Sequence, residues 1–346
     1  MKPGFHFITG PNGSGKTNFL DAIYYLCMTR SFLKNPDKML VQHGMDFFRL
    51  ESLYHSDHKT HELSIKYKYH GDKEIELDGK KYGKYTEHIG KLQVVVIAPD
   101  EVYTLMNGQD EKRKFLNQTL VQSDIDYFNH LYSYNKSLKQ RNAALKLMRK
   151  ESRLDHQLLD AIDHTIVPHA IAIHNKRKEL VEKLNPGVAD YVRRISDSQQ
   201  EGCLNYKSEV NESYADAIKQ SRDKDYYSLR TNVGIHRDHL NCIMDSHELN
   251  EIGSQGQIKS FVVAMKLAQF NYLRQASGST PLVLLDDIFA KLDSLRVGKF
   301  LEILQQEKID QCFITDTHVN RVSDLIKKLP GSAYLYQITN GSMNQI

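Results

Sequence analysis

The hydrophobic and polar positions follow different patterns in successive sections of the chain. A short β-prone run, residues 5–9, leads into a glycine-rich loop, and apolar residues then recur at helical spacing over residues 19–26. From about residue 47 to 98 the alternation has a period of two, and Asp78-Gly79 lies between two such runs. This pattern predicts β-strands joined by a hairpin, followed by a buried strand at residues 93–97.

The middle of the chain has the periodicity of long helices. One leucine stripe lies between residues 131 and 145, and a second apolar stripe lies between residues 159 and 184. Pro168 predicts a kink in the second helix, and Pro186-Gly187 predicts its end. Strand and helix patterns alternate again from about residue 229. We therefore expect an α/β core built from residues 1–110 and 226–346, interrupted by a helical lobe at 111–225.

Composition narrows the class of protein only slightly. Hydrophobic residues make up 40% of the chain and charged residues 26%, which is ordinary for a globular protein. No apolar run approaches the ~18 residues that a membrane span needs. The four cysteines lie far apart without a C-x-x-C pair, which argues against a zinc site and favours the cytoplasm. A net charge of +3 neither requires nor excludes nucleic acid as a partner.

A phosphate-binding loop is the strongest chemical signal. The segment matches G-x-x-x-x-G-K-[ST], and we expect its backbone and side chains to bind ATP through Gly10, Pro11, Asn12, Gly13, Ser14, Gly15, Lys16, Thr17 and Asn18. Glycines let successive N–H groups face the phosphates, and the following helix directs its positive dipole end at them. Lys16 would contact the β- and γ-phosphates, and the Thr17 hydroxyl would bind Mg²⁺.

Two carboxylates follow a buried strand near the other end of the chain. Asp286 comes directly after an apolar run and is a candidate Mg²⁺ ligand at the tip of a central strand. Asp287 is a candidate catalytic residue that would orient or deprotonate the attacking water. It is one methylene shorter than Glu, so we expect weak hydrolysis at most. A strand-to-loop transition without function remains an alternative for the isolated pair.

A second anion-binding element precedes this strand. Ser254, Gly256 and Gln257 belong to an S-x-G-Q segment that opens an apolar helix, although simple helix capping also explains it. Asp293 follows the carboxylates in a Leu-Asp pair and is either functional or a plain N-cap.

The order of these motifs resembles that of ABC-type ATPase heads, and most closely the RecF family of bacterial replication and repair proteins. The resemblance covers nearly the whole chain and is carried by Gly10–Asn18, Asp21–Leu26, Arg30-Ser31-Phe32, Leu138–Asn142, Gly234–Asp238, Ser254–Gln257 and Leu284–Asp287. It implies an α/β, ABC-type P-loop ATPase head with an inserted α-helical lobe. Ile235, His239 and Lys291 depart from the family's usual residues. Family members usually have a longer segment before the phosphate-loop strand, so we expect a truncated N terminus on the adenine side.

The resemblance also implies how the site is completed. In such heads the S-x-G-Q element contacts the γ-phosphate held by a second copy, so Ser254, Gly256, Gln257 and Asp293 would lie at an ATP-dependent homodimer interface. His318 would follow the next strand as a γ-phosphate sensor, with an exposed capping histidine as the alternative. For His236 and Arg237 two roles stay open, in a buried network or at the dimer partner.

A basic stretch in the helical lobe is a candidate DNA site. It contains Lys136, Lys139, Arg141, Lys146, Arg149 and Lys150 against a single acid, Glu151. Such a cluster could neutralise several phosphates and bind DNA in a sequence-independent, salt-sensitive way. The alternative is a solvated helix face.

Together these features predict an ATP-dependent DNA-binding protein, and the resemblance implies a role in replication, recombinational repair and the SOS response. By resemblance it would bind single-stranded or gapped DNA and assist RecO and RecR in loading RecA, with weak DNA-stimulated ATP hydrolysis acting as a switch. Three alternatives are a DNA-binding dimer in which ATP is only an interface component, another SMC-like ATPase, and a transporter ATPase subunit. The last would carry Leu-Ser-Gly-Gly-Gln and a short lobe, and this chain has neither.

Overall fold

The computed structural model describes residues 1–56, 59–196, 200–288, 294–327, 331–339 and 341–346, which form two compact units. The first unit joins Met1–Val102 to Leu273–Ile346, and the second is Tyr103–Tyr272. The expected boundaries at 110 and 226 are therefore wrong, since residues 226–272 belong to the second unit. Within the part of the chain that the structure describes, no helix has the length and apolar character needed to cross a membrane.

The elements alternate between strands and helices along the chain. The strands are β1 (Gly4–Thr9), β2 (Phe47–Ser56), β3 (Lys59–Lys68), β4 (Lys73–Leu77), β5 (Lys80–Lys81), β6 (Val94–Ile97), β7 (Gly202–Lys207), β8 (His239–Met244), β9 (His247–Glu248), β10 (Leu282–Leu285), β11 (Gln311–Asp316), β12 (Ala333–Thr339) and β13 (Ser342–Gln345). The helices are α1 (Lys16–Met28), α2 (Pro99–Asn107), α3 (Gln109–Val121), α4 (Ile125–Lys150), α5 (His156–Ser196), α6 (Tyr214–Gln220), α7 (Arg222–Ser228), α8 (Leu249–Ile252), α9 (Gln255–Ser277), α10 (Ser294–Gln306) and α11 (Val319–Ile326).

The first unit is organised around a six-stranded sheet with the order β13-β12-β1-β11-β10-β6. All neighbouring pairs are parallel except β12 with β13. Two of its parallel strands, β6 and β10, consist entirely of apolar residues and are almost completely buried, as expected where both faces of a parallel sheet are covered. The topology matters for function, because β1 and β10 each lie beside β11 and their carboxyl ends meet at one edge of the sheet.

A second, antiparallel sheet of the first unit has the order β2-β3-β4-β5. Its buried positions, Leu63, Ile65 and Ile75, pack with Tyr25 of α1. The hairpin predicted at Asp78-Gly79 is confirmed: both residues have positive φ values, 52° and 73°, and they connect β4 to β5. This geometry suits the twist of a two-residue hairpin.

The second unit contains the two long helices, α4 with 26 residues and α5 with 41. The predicted helix end at Pro186-Gly187 is wrong, since α5 continues to Ser196 with Pro168 and Pro186 inside it. The apolar stripe also continues, and its later members are buried: Val188, Tyr191, Val192 and Ile195. Burial of these side chains offsets the hydrogen bond lost at the proline.

Strand pairing explains why residues beyond 226 belong to the second unit. There β8 pairs antiparallel with β7, and β9 extends the same three-stranded sheet. Gly187 of α5 closely approaches α9, because a Cβ added at Gly187 would lie 3.2 Å from the Ala268 Cβ. These contacts join the segment to the lobe rather than to the six-stranded sheet.

Candidate nucleotide-binding site

The glycine-rich loop connects β1 to α1, as its motif predicts. Gly15 has a φ of 102° and occupies the N-cap of α1, so the loop enters the helix through a left-handed residue. Gly10 has a φ of 156°, and a Cβ there would lie 2.8 Å from the Ile338 carbonyl oxygen. The backbone at Gly10 therefore leaves no room for a side chain. The N terminus of α1, which follows the loop, has the free backbone N–H groups that suit an anion.

Lys16 lies across this loop and is largely buried. Its Nζ donates to the carbonyl oxygens of Gly10 at 2.8 Å and Pro11 at 2.9 Å. Among the residues that the structure describes, the buried Ser14 Oγ has no hydrogen-bond partner. A buried hydroxyl without a partner is costly, so a phosphate oxygen would satisfy it. The loop thus presents a cation, a hydroxyl and a helix N terminus to one small volume.

The phosphate loop and the carboxylates, although far apart in sequence, come into contact through Thr17 and Asp286. The Thr17 hydroxyl lies 3.0 and 3.1 Å from the two Asp286 carboxylate oxygens, although the residues are 269 positions apart. One hydroxyl and one carboxylate fit Mg²⁺, which prefers oxygen ligands and keeps several waters. Across the described ranges, no group of three or more His, Cys, Asp or Glu side chains forms an alternative metal site.

Asp287 differs from Asp286 in backbone and environment. Its φ is 43°, in the left-handed region, and its backbone N–H donates to the Thr315 Oγ1 at 3.0 Å. Burial raises the pKa of the Asp287 carboxyl, and the neighbouring Asp316 and Asp286 carboxylates raise it further. Its Oδ1 is buried without a partner among the described residues. This carboxylate is therefore available to a proton or a water molecule.

Sequence reasoning missed Thr315 and the ion pair that follows it. Thr315 donates to the Asp286 Oδ1 at 2.6 Å, and Arg321 holds Asp316 through two hydrogen bonds of 2.9 and 2.7 Å. The sequence offered only a weak signal for them: the apolar strand β11 ends in two polar residues, Thr315 and Asp316.

His318 occupies the N-cap position of α11, but its side chain makes no capping hydrogen bond. Its backbone N–H instead donates to Asp316 at 2.7 Å, and its ring is exposed. His318 is therefore an exposed histidine at a helix N-cap position, as the alternative expected, although its side chain makes no capping hydrogen bond. The sensor role stays a prediction.

The S-x-G-Q element opens α9 in the second unit. The Ser254 backbone N–H donates to the Gln257 Oε1 at 2.8 Å, and the Gln257 N–H lies 3.3 Å from the Ser254 Oγ. This reciprocal pair is a capping box, so the simpler interpretation holds locally. Ser254 is exposed and Gly256 adds no side chain, which leaves the element accessible to another molecule. The expectation for Asp293 lies outside the described residues.

The basic stretch on α4 divides into two faces. Lys136, Lys139, Lys146 and Lys150 are exposed and follow one another at intervals of three, seven and four residues, which places them on one face. Exposed Arg149 stacks over the rings of Tyr226 and Tyr227, at 5.2 and 5.3 Å. This set is the basic stripe.

Arg141 lies on the opposite face, and the expectation that it contacts DNA is wrong. Its side chain is completely buried. It donates to Asp163 at 2.7 Å, to Asp225 at 2.6 Å and to Thr231 at 3.0 Å. The guanidinium therefore belongs to the charged core of the second unit.

The Gly234–Asp238 motif also lies in the second unit. His236 is mostly buried: its Nε2 donates to the Thr231 carbonyl oxygen at 3.0 Å, so its Nδ1 accepts from the Tyr134 hydroxyl at 2.7 Å. Asp238 accepts from Arg177 at 2.6 Å. His236 is thus a member of a buried network, whereas Arg237 and His239 are exposed.

The fold and the site define a P-loop ATPase of the ABC class: a mainly parallel sheet, a phosphate loop before α1, and an Asp at the tip of a neighbouring strand. The family model described as RecF/RecN/SMC N terminal domain matches residues 1–338. The chain belongs to the RecF family. Its fold is an ABC-type ATPase head with an inserted helical lobe, in agreement with the expectation from sequence.

Individual relatives agree with this assignment. The DNA replication and repair protein RecF of Cytophaga hutchinsonii is 34% identical over 344 residues, covering 99% of this chain and 91% of the relative. The Porphyromonas gingivalis RecF is 34% identical over 348 residues, covering 100% and 94%. A solved structure of the recombination mediator protein RecF with an ATP analogue, from the RecFOR pathway, superposes with a TM-score of 0.89 at 27% identity, covering 100% of this chain and 93% of that one. A Pyrococcus furiosus Smc head, at 14% identity and a TM-score of 0.52, shares the fold.

Proposed function

We propose that this chain is an ATP-switched DNA-binding protein of replication and recombinational repair. One observation carries the proposal: Thr17 of the phosphate loop and Asp286 of β10's tip are in hydrogen-bond contact across 269 residues. This contact assembles a hydroxyl, a carboxylate and a buried lysine at a helix N terminus, a combination suited to a nucleoside triphosphate with Mg²⁺. The names of the relatives support the same biological role.

ATP binding is assigned to the phosphate loop. Lys16 would exchange its two carbonyl contacts for phosphate oxygens, and Ser14 would gain the partner that it lacks. Thr17 and Asp286 would hold Mg²⁺, which supplies positive charge to the β- and γ-phosphate oxygens. Asp287 would accept a proton from the attacking water or orient it. Because its side chain is short, we expect slow turnover.

Dimerisation would complete the site. We assign Ser254, Gly256 and Gln257 to the γ-phosphate held by a second copy, together with Asp293. Ser254 is exposed at the start of α9, so it is free to meet another molecule. Binding of ATP would then build a symmetric dimer with two nucleotides at its interface, and hydrolysis would release it.

DNA is the proposed macromolecular partner. The basic stripe offers four lysines on one helix face, and Arg149 on its aromatic support adds a fifth positive charge. Five charges would bind phosphates without sequence preference, on single-stranded or gapped DNA. RecO and RecR in the cytoplasm are the further partners that we propose, in line with the pathway named for the solved RecF structure.

A second candidate differs in one step. In it ATP joins two copies on DNA and is not hydrolysed to a significant extent. The short Asp287 side chain, at a position where Glu is usual in such heads, favours this second candidate function.

One experiment separates the two candidates. Dimerisation by light scattering and phosphate release would be measured with ATP, with and without DNA, for the wild type, Lys16→Met and Asp287→Asn. We expect ATP-dependent dimers for the wild type and Asp287→Asn, none for Lys16→Met, and phosphate release only from the wild type. ATP-dependent dimers without phosphate release would favour the second candidate. Dimers that form without ATP in all three proteins would refute the switch.

A further inference from the structure

Thr315 connects the two carboxylate residues of the site through one hydroxyl. Its Oγ1 lies 2.6 Å from the Asp286 Oδ1 and 3.0 Å from the Asp287 backbone nitrogen. Chemistry fixes both directions, because a carboxylate only accepts and an amide N–H only donates. The Thr315 hydroxyl therefore donates its single proton to Asp286 and accepts from Asp287. No rotation of the hydroxyl can serve these partners in another way.

The strand register places Thr315 at this point. Leu285 pairs with Ile314 in the parallel β10–β11 ladder, so Asp286 and Thr315 occupy the next positions. The Asp286 N–H still bonds to Ile97 on the other side, at 3.0 Å. The chain then turns at Asp287 into a left-handed conformation, which is uncommon for a residue with a side chain. The hydrogen bond that Asp287 donates to Thr315 helps to hold this turn.

Asp286 receives hydroxyl donors from two different elements, Thr17 of α1 and Thr315 of β11. Binding of a cation would turn the Thr17 oxygen towards the metal, and that donor would leave Asp286. Thr315 would then be the side-chain donor that remains among the hydrogen bonds described here. Because Thr315 is fully buried, solvent cannot readily replace it.

We propose that Thr315 is a positioning residue of the nucleotide site. Its hydroxyl keeps the Asp286 carboxylate directed at Thr17 and holds the turn that carries Asp287. The candidate metal ligand and the candidate base thus depend on one side chain, whose hydroxyl contacts both residues directly. This inference rests on the proposed nucleotide binding and hydrolysis.

Two variants test the proposal. Thr315→Val keeps nearly the same shape without the hydroxyl, and Thr315→Ser keeps the hydroxyl. ATP binding would be measured by calorimetry with Mg²⁺ and with EDTA, and phosphate release would give kcat and KM. For Thr315→Val we expect the gain in affinity from Mg²⁺ to fall about tenfold, the loss typical of one hydrogen bond to a charged group. We expect kcat to fall at least as much with a smaller change in KM, and Thr315→Ser to restore both.

Thr119→Val is the matched control. Thr119 is also fully buried, and its Oγ1 donates to the Phe115 carbonyl oxygen at 2.8 Å and accepts from the Gln269 Nε2 at 3.0 Å. It belongs to the second unit, so its loss removes one donated and one accepted hydrogen bond of a buried threonine from the unit that does not contain the phosphate loop. We expect it to lower the melting temperature while leaving the Mg²⁺ gain and kcat unchanged.

Several outcomes would overturn the inference. These are a Thr315→Val protein with the wild-type Mg²⁺ gain and kcat, a serine variant as impaired as the valine variant, and a Thr119→Val protein with the same defect. If the wild type binds ATP in a Mg²⁺-dependent way without releasing phosphate, proposed hydrolysis fails, and the binding measurement alone decides on Thr315. If the wild type binds no ATP, the proposed function and this inference fail together.

Discussion

Replacing Arg141 with methionine tests whether this residue belongs to the core or to a DNA-binding surface. The guanidinium bridges Asp163 and Asp225 in the second unit, and side-chain exposures are 0%, 4% and 0% for the three residues. Methionine has a similar length and no charge. The substitution therefore leaves the buried carboxylates of Asp163 and Asp225 without the cation that they share.

The magnitude follows from what each carboxylate retains. Asp163 keeps Arg222, whose Nη2 lies 2.7 Å from its Oδ2. Asp225 keeps Ser221 at 2.9 Å and the Asn232 backbone and side-chain nitrogens at 2.9 and 2.8 Å. Breaking a buried ion pair by removing one partner typically costs about 3–5 kcal/mol. Because several neutral donors remain, we expect the lower end, about 3 kcal/mol.

Urea unfolding followed by circular dichroism measures this loss. With a slope of about 3 kcal/mol per molar urea, a loss of about 3 kcal/mol lowers the midpoint by about 1 M. Lys139→Met on the exposed face of the same helix is the control, and we expect it to change the midpoint by less than about 0.2 M. If Arg141→Met shifts the midpoint no further than this control does, the charged core does not stabilise the second unit and the argument from burial fails.

Three further predictions concern other parts of the molecule. Burial lowers the pKa of His236 below 6.5 in the folded chain, so the unfolded chain binds a proton first as pH falls and stability is lost below about pH 6.5. His236→Gln should flatten this part of the unfolding profile; an unchanged pH profile would contradict the assignment. Replacing both Lys146 and Arg149 with alanine should reduce the slope of log binding constant against log salt concentration by about one to two units. An unaltered slope would show that the basic stripe is not the DNA-binding site. Gly10→Ala should weaken ATP binding at least tenfold in calorimetry, because its Cβ would lie 2.8 Å from the Ile338 carbonyl oxygen. Wild-type affinity would show that the loop can shift to accommodate the added methyl group.

Local sequence signals predicted local structure well. The phosphate loop lies between a strand and a helix, and the Asp78-Gly79 turn connects β4 to β5, because in both cases the positive φ values are available mainly to glycine and to small polar residues. The proline rule failed at Pro186. A proline removes one backbone hydrogen bond, and four buried side chains beyond it outweigh that loss. Propensity is a weak prior when a long apolar stripe continues past the break.

The sequence by itself determined the chemistry of the nucleotide site, since G-x-x-x-x-G-K-T and an apolar strand ending in Asp286 specify a phosphate loop and an acidic strand tip. It also determined the family. Only the tertiary structure decided that Arg141 is buried while Lys139, two positions earlier on α4, is exposed, because composition alone does not say which helix face meets a neighbour. It also decided the position of Thr315, whose hydroxyl reaches Asp286 through the alignment of β10 with β11. Hydrogen bonds between distant segments depend on strand order and register, and neither is encoded in a short motif.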